Sequence, residues 1–284
     1  MKAYRAPGGG IAFDSKRGYG DRPLELPCGQ CIGCRIKHSR TWALRCVHEA
    51  LMHRANSFIT LTYDPEHLPK DLSVSVEDWQ LFAKRLRKTG KFRFFHCGEY
   101  GSENLRPHYH AIIFGRDFSG DRVYYRGRPP RQLFVSPTLS KAWGKGFVSI
   151  GDVTYQSAAY VARYALKKRT GDQAEAAYTR VDHETGECWR VKPEYVTMSR
   201  RPGIGATWFE KYASDVYPDD VVIHDGKRFR PPRFYDGKID EDLLLSLKAK
   251  RLEAARMRGD ELNCERLAQR EIYLESEYSD SRKL

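Results

Sequence analysis

No stretch of this 284-residue chain approaches the roughly 18 consecutive apolar residues that a membrane helix needs. The opening Met1-Lys2-Ala3-Tyr4-Arg5 lacks the apolar run of a secretion signal. The expected location is therefore the cytoplasm of whatever cell makes the protein, with no membrane attachment. No G-x-x-x-x-G-K-[ST] loop occurs, so no phosphate-loop motor is built in. No internal repeat occurs, which excludes repeat architectures. The cysteines number seven, an odd count without a secretion signal, so a disulfide framework is not expected.

Acidic residues are the scarcer charge. Forty-nine Lys and Arg face 37 Asp and Glu, giving a net +12 and a pI near 9.3. The excess sits before Asp240, where the net is +14; from Asp240 onward it is −2. Nucleic acid is the first partner such a balance implies, with an anionic membrane surface as the alternative. Seventeen tyrosines and five tryptophans add stacking surfaces for unpaired bases, though most are expected in the core.

Cys28, Cys31 and Cys34 form C-x-x-C-x-x-C. That spacing can turn consecutive thiolates onto one structural zinc, with Cys46 as first and His38 as second candidate for the fourth ligand. Three reduced thiols in a loop are the competing reading, and iron–sulfur ligation ranks below both.

The densest chemistry lies in Arg106-Pro107-His108-Tyr109-His110-Ala111-Ile112-Ile113-Phe114-Gly115, a turn running into a strand. Side chains alternate along a strand, so His108 and His110 share a face, half of a divalent-metal site. Arg93–Tyr100 reads as a preceding strand, and the short polar connection makes the pair a hairpin. The hairpin brings Glu99 to His108, which makes Glu99 the third ligand. Parity sends His96 to the other face.

Downstream, Tyr160-Val161-Ala162-Arg163-Tyr164-Ala165-Leu166-Lys167-Lys168 reads as a helix, capped by Thr154 or Ser157. Tyr160 and Tyr164 share a face one turn apart, with Arg163 and Lys167 near it. Buried packing is the plain role for such tyrosines. Beside a metal-polarised phosphate, a phenol can instead attack phosphorus.

The H-hydrophobic-H strand followed by a Tyr-x-x-x-Tyr helix resembles the HUH endonucleases that start rolling-circle DNA replication. Phe58-Ile59-Thr60-Leu61-Thr62-Tyr63-Asp64 is similar to their first strand motif. Cys28–Cys34 and Met198-Ser199-Arg200-Arg201-Pro202-Gly203-Ile204-Gly205 resemble the initiators of small circular single-stranded DNA phages, the gokushovirus branch of the microviruses. The resemblance spans roughly residues 25–215. It implies Mg²⁺ or Mn²⁺ on His108, His110 and Glu99, with Mn²⁺ the better match to imidazole ligands. It further implies attack by Tyr164 or Tyr160, a 5′-phosphotyrosine adduct, a free 3′-OH primer and later rejoining. Lys167 would steady the phenolate, and Arg163, Lys168, Arg200 and Arg201 would contact DNA. The implied partners are a single-stranded origin and a host helicase and polymerase.

The expected fold is α+β: an antiparallel sheet carrying the metal site, flanked by helices, with a C-terminal helical appendage. The expected division is a basic Gly-rich arm at 1–24, the endonuclease domain at 25–215, a linker at 216–239 and the appendage at 240–284, split by Gly259. Within the domain, helices are expected over Ser39–Ala55 and after a Ser75–Asp78 capping box, burying Trp79, Phe82, Ala83 and Leu86. Asp117–Arg131 reads as a loop insertion, and Thr170–Lys192 as partly disordered. A DNA-binding zinc module without catalysis would leave the histidine hairpin unused. A non-haem iron oxygenase would want H-x-[DE], which is absent. A histidine-based nucleotide hydrolase would want a third histidine where Ile112 stands.

Overall fold

The computed structural model of the chain describes residues 2–21, 23–29, 31–101, 104–129, 131–164, 173–182, 184–257 and 264–280. The chain divides into two units: residues 1–38 with 258–284, and Ser39–Met257. The first unit opens with three short strands, β1 (Lys2–Arg5), β2 (Ile11–Ala12) and β3 (Pro23–Glu25), both outer strands antiparallel to β1. The stretch expected as a Gly-rich arm is thus a small sheet, its glycines forming the turns between pairing segments. Helix α1 (Ile32–Leu51) begins in this unit and continues into the next, seven residues earlier than its apolar periodicity suggested.

The second unit is built on β4 (Asn56–Thr62), α2 (Val76–Arg87), β5 (Arg93–Tyr100), β6 (Pro107–Phe114), β7 (Val123–Arg126), β8 (Leu133–Val135), α3 (Pro137–Trp143), β9 (Val148–Gly151), α4 (Tyr155–Tyr164), α5 (Gln173–Tyr178), β10 (Thr179–Val181), β11 (Cys188–Arg190) and β12 (Tyr195–Met198). Seven strands form one antiparallel sheet in the order β12-β5-β6-β4-β9-β8-β7. The α+β expectation therefore holds. Ser75 caps α2 by accepting from the Asp78 amide, and α2 buries Trp79, Phe82, Ala83 and Leu86 against one sheet face, joined by Leu139 and Trp143 of α3. The other face packs Phe95, Cys97, Ile112 and Phe114 under Ala43 and Cys46 of α1 and Ala158, Val161 and Ala162 of α4. Truncating a fully buried ring such as Trp79 to Ala would cost about 3–5 kcal/mol.

The unit continues through α6 (Ala206–Val216), β13 (Val222–His224), β14 (Lys227–Phe229), α7 (Arg233–Asp236) and α8 (Glu241–Met257); α9 (Cys264–Asp280) belongs to the first unit. Three polar stretches differ from expectation because their partners are distant in sequence. Residues 117–131 hold edge strand β7. Residues 173–190 hold α5 and the β10–β11 hairpin. Residues 216–239, read as a linker, fold into a hairpin and α7, with Tyr235 fully buried. Leu247 of α8 joins that cluster, so part of the expected appendage is core. The break between α8 and α9 brackets Gly259, which lies outside the described residues. Among the described residues no helix is long and apolar enough to cross a membrane.

Candidate functional site

In the β5–β6 ladder Glu99 stands directly opposite His108, and Cys97 opposite His110. All four side chains leave on the α1/α4 side of the sheet. Glu99 Oε1 lies 3.2 Å from His108 Nε2 and 3.0 Å from His110 Nε2. The three ligand atoms fall within 4.8 Å of one another, and Glu99 is 1% exposed. Burial alone would push the Glu99 carboxyl up, but its contacts with His108 and His110 outweigh burial and hold it below the usual value.

The far ring nitrogens are also engaged. His108 Nδ1 donates to the Arg106 carbonyl at 3.1 Å, which leaves the Nε2 lone pair facing Glu99. His110 Nδ1 lies 2.9 Å from Thr60 Oγ1 of β4, the residue opposite it in the ladder. Thr60 was missed at the sequence level, although its place in the first strand motif and its even spacing from Phe58 mark the same face. Two Nε2 atoms and a carboxylate oxygen converging in a buried pocket fit a divalent cation of the Mn²⁺ or Mg²⁺ class.

Helix α4 brings a phenol to this pocket. Thr154 and Ser157 cap it reciprocally, each side chain accepting from the other's amide, so both anticipated capping residues take part. Ala158, Val161 and Ala162 seat its inner face on the sheet. The Tyr160 ring then stands 5.0 Å from His110, edge-on at 86°, while Phe58 stacks on the same imidazole at 5.5 Å. The Arg163 guanidinium lies 5.7 Å from the Tyr160 ring. Tyr164 closes the last turn of α4, on the helix face of Tyr160. Its side chain, and all of Lys167 and Lys168, lie outside the described residues.

His96 is on the reverse face, its ring stacked 3.6 Å from Trp79 and Nδ1 bonded to Thr197 Oγ1. Burial holds its imidazole well below its normal pKa, so it is a neutral core residue there.

Arg200 and Arg201 are exposed on the turn between β12 and α6. That turn is gripped from inside. Arg93 donates to the carbonyls of Arg201 and Pro202, and Arg45 donates to that of Ile204. The buried Glu49 carboxylate accepts from Arg93 and from the Gly205 amide at 2.7 Å. The two arginines therefore project from a fixed backbone.

Cys28, Cys31 and Cys34 come together, their sulfurs within 4.8 Å, and the Cys31 amide donates to Cys28 Sγ at 3.2 Å. Neither candidate fourth ligand is in that group. Cys46 belongs instead to the core of the second unit, wholly buried with Phe95 and Cys97. Burial pushes its thiol far above its normal pKa, and it acts as a small apolar residue. Burial likewise lowers the pKa of the His38 imidazole.

A family model for replication-associated proteins of the ORF2 type matches residues 56–169, the stretch holding β4, the histidine hairpin and α4. The chain is 31% identical over 276 residues to replication-associated protein VP4 of Bdellovibrio phage phiMH2K, covering 90% of this chain and 83% of that protein. It is 29% identical to replication-associated protein ORF2 of Spiroplasma virus 4, covering 90% and 79%. To replication-associated protein ORF4 of Chlamydia phage 1 it is 29% identical, covering 78% and 54%. No solved structure matches the chain.

Proposed function

This chain belongs to the replication-associated proteins of the microviruses, and from that premise we propose that it nicks and rejoins single-stranded origin DNA through a tyrosine nucleophile. The observation that carries the reading is the Tyr160 ring 5.0 Å from a buried His–His–Glu triad. Glu99, His108 and His110 would hold the metal, and Mg²⁺ or Mn²⁺ bound there supplies Lewis-acid polarisation of phosphoryl oxygens. Tyr160, or Tyr164 one turn on, attacks phosphorus in line. A tyrosine–phosphorus bond forms and the bond to the 3′-oxygen breaks. The phenol proton passes to solvent, and the 3′-oxygen leaves as a hydroxyl that primes synthesis. The 5′-phosphotyrosine conserves the ester for rejoining, and a second phenol lets one strand be held while the next is cut. Arg163 places positive charge beside the ring, favouring the phenolate and the approaching phosphate. Lys167 and Lys168 follow on the same segment, and Arg200 and Arg201 contact flanking phosphates from their braced turn. The protein acts inside the host cell with a host helicase and polymerase, since it has no phosphate-loop motif. Cys28, Cys31 and Cys34 form a structural zinc site, with Cys34 in the first turn of α1, where the helix dipole favours thiolate. Elemental analysis should find about one zinc per chain; zinc-free folded protein removes that assignment.

The test is incubation with single-stranded origin DNA and Mn²⁺, followed by a denaturing gel. Wild type should form a covalent adduct that maps to Tyr160 or Tyr164. The double Tyr160→Phe/Tyr164→Phe variant keeps both rings and should form none, and His108→Ala and His110→Ala should form none while still binding DNA. Wild-type adduct from the double Phe variant would sink the nucleophile assignment.

A further inference from the structure

The face of the sheet that carries the triad extends beyond it, toward the β7 edge. Opposite His108 in the ladder stands Thr62, and the Thr62 amide in turn donates to the Phe147 carbonyl. Ser149 lies opposite Thr60, which touches His110, so Phe147, two residues before Ser149, leaves from that same face. Phe147 is two strand spacings from His108, about 10 Å. Its ring is 46% exposed. Gly146 fixes it there: at φ +139° its Cα approaches β4 so closely that a Cβ would sit 2.4 Å from the Thr62 carbonyl oxygen.

A second ring meets it. The β7–β8 pairing shifts register between Tyr124 and Arg126, a bulge that re-aims Tyr125. Tyr124 pairs with Phe134, which packs into the opposite core, whereas the Tyr125 ring lies 5.2 Å from Phe147 at 52°. Tyr125 is 46% exposed, and the Arg126 guanidinium sits 5.3 Å from its ring. Residues 122–131 contain four arginines and no acid; Arg126, Arg128 and Arg131 are exposed, while Arg122 covers Phe134.

We propose that Tyr125 and Phe147 form a base-stacking step for the single strand crossing the triad face, with Arg126, Arg128 and Arg131 holding its phosphates. The inference rests on the nicking reading and adds the path of the DNA. Exposed aromatic rings flanked by arginines, without acids, suit unpaired bases on a phosphate backbone. The spacing from the triad corresponds to about three nucleotides at a stacked rise of about 3.4 Å. The step would hold the strand on one side of the scissile phosphate and fix its register over the metal ligands.

The experiment uses the full-length protein without divalent metal, so that binding is read apart from cleavage. Fluorescence anisotropy would compare an oligo(dT) strand with an abasic deoxyribose-phosphate strand of equal length. Wild type should bind oligo(dT) about tenfold or more tightly than the abasic strand. The Tyr125→Ala/Phe147→Ala variant should lose most of that preference and keep its abasic affinity and salt slope. Tyr125→Phe should retain the preference. Both rings are half exposed, so a thermal melt should show the double variant folded. An unchanged preference in the double variant overturns the proposal, as does a wild type that does not distinguish the strands. An unchanged preference with an altered oligomeric state would make the patch a protein interface. The adduct assay separates this inference from the nicking reading. Ring-dependent base preference in a wild type that forms no adduct would remove the nuclease and leave the stacking step. Adduct formation with an unchanged preference in the double variant would do the reverse.

Discussion

Thr60 shows how one hydroxyl tunes the candidate metal pocket. An imidazole binds a cation through the nitrogen that carries no proton, and the other nitrogen's partner selects the tautomer. Thr60 Oγ1, at 2.9 Å from His110 Nδ1, favours the proton there and the Nε2 lone pair toward Glu99. Thr60→Val keeps the shape and deletes the acceptor, so Mn²⁺ affinity should fall about tenfold or more. Thr60→Ser should restore it. Titration calorimetry reads both without any cleavage, and wild-type affinity in the valine variant would dismiss the role. Tyr160, by contrast, acts through position: four residues of helix carry it to Tyr164, so the two phenols alternate at one pocket without rearranging the sheet.

At the scale of elements, α8 is tied to the α6–α7 region through Arg251, which donates to Asp220 and to Asp236. Burial tends to raise the Asp236 carboxyl, but hydrogen bonds from Arg251 and Tyr217 outweigh it and hold it below its normal 3.8. A depressed carboxylate contributes stability that is complete above its unfolded pKa and is lost as pH falls through its folded one. Thermal unfolding should therefore show a loss below about pH 4 that Arg251→Met largely removes. The same variant should destabilise the protein at neutral pH by about 1.5–3 kcal/mol, since charge-assisted bonds are broken. Identical pH profiles for the two proteins would refute the tether.

For the whole molecule, charge and core are distributed differently along the chain. The +14 balance before Asp240 lies on the parts that carry the triad, the braced turn and the arginine-rich edge. Single-strand affinity should fall with salt at a log–log slope of about −0.7 per phosphate neutralised. The net-acidic chain from Asp240 adds nothing to that attraction, yet Leu247 is 1% exposed and Arg251 bridges two aspartates. Truncation before Asp240 should consequently lower the melting temperature while any folded fraction keeps the salt slope. A truncated protein that melts like the full chain would show that α8 is dispensable to the core.

Local pattern was enough to determine the histidine hairpin, the sidedness of His96, the Ser75 cap and the buried stripe of α2, because alternation, helical period and capping act over a few residues. The family resemblance carried by those motifs added Tyr160 and Tyr164. Other features depend on which distant segments meet. Thr60 reaches His110 because β4 lies beside β6, and Glu49 reaches Gly205 across 156 residues of chain. Tyr125 meets Phe147 because β7 and β8 extend the sheet past β9. Residues 216–239 look like a linker until Tyr235 finds Leu44 and Phe209. Strand order and helix docking are settled by burying apolar surface from the whole chain at once, and no short window of sequence contains that balance.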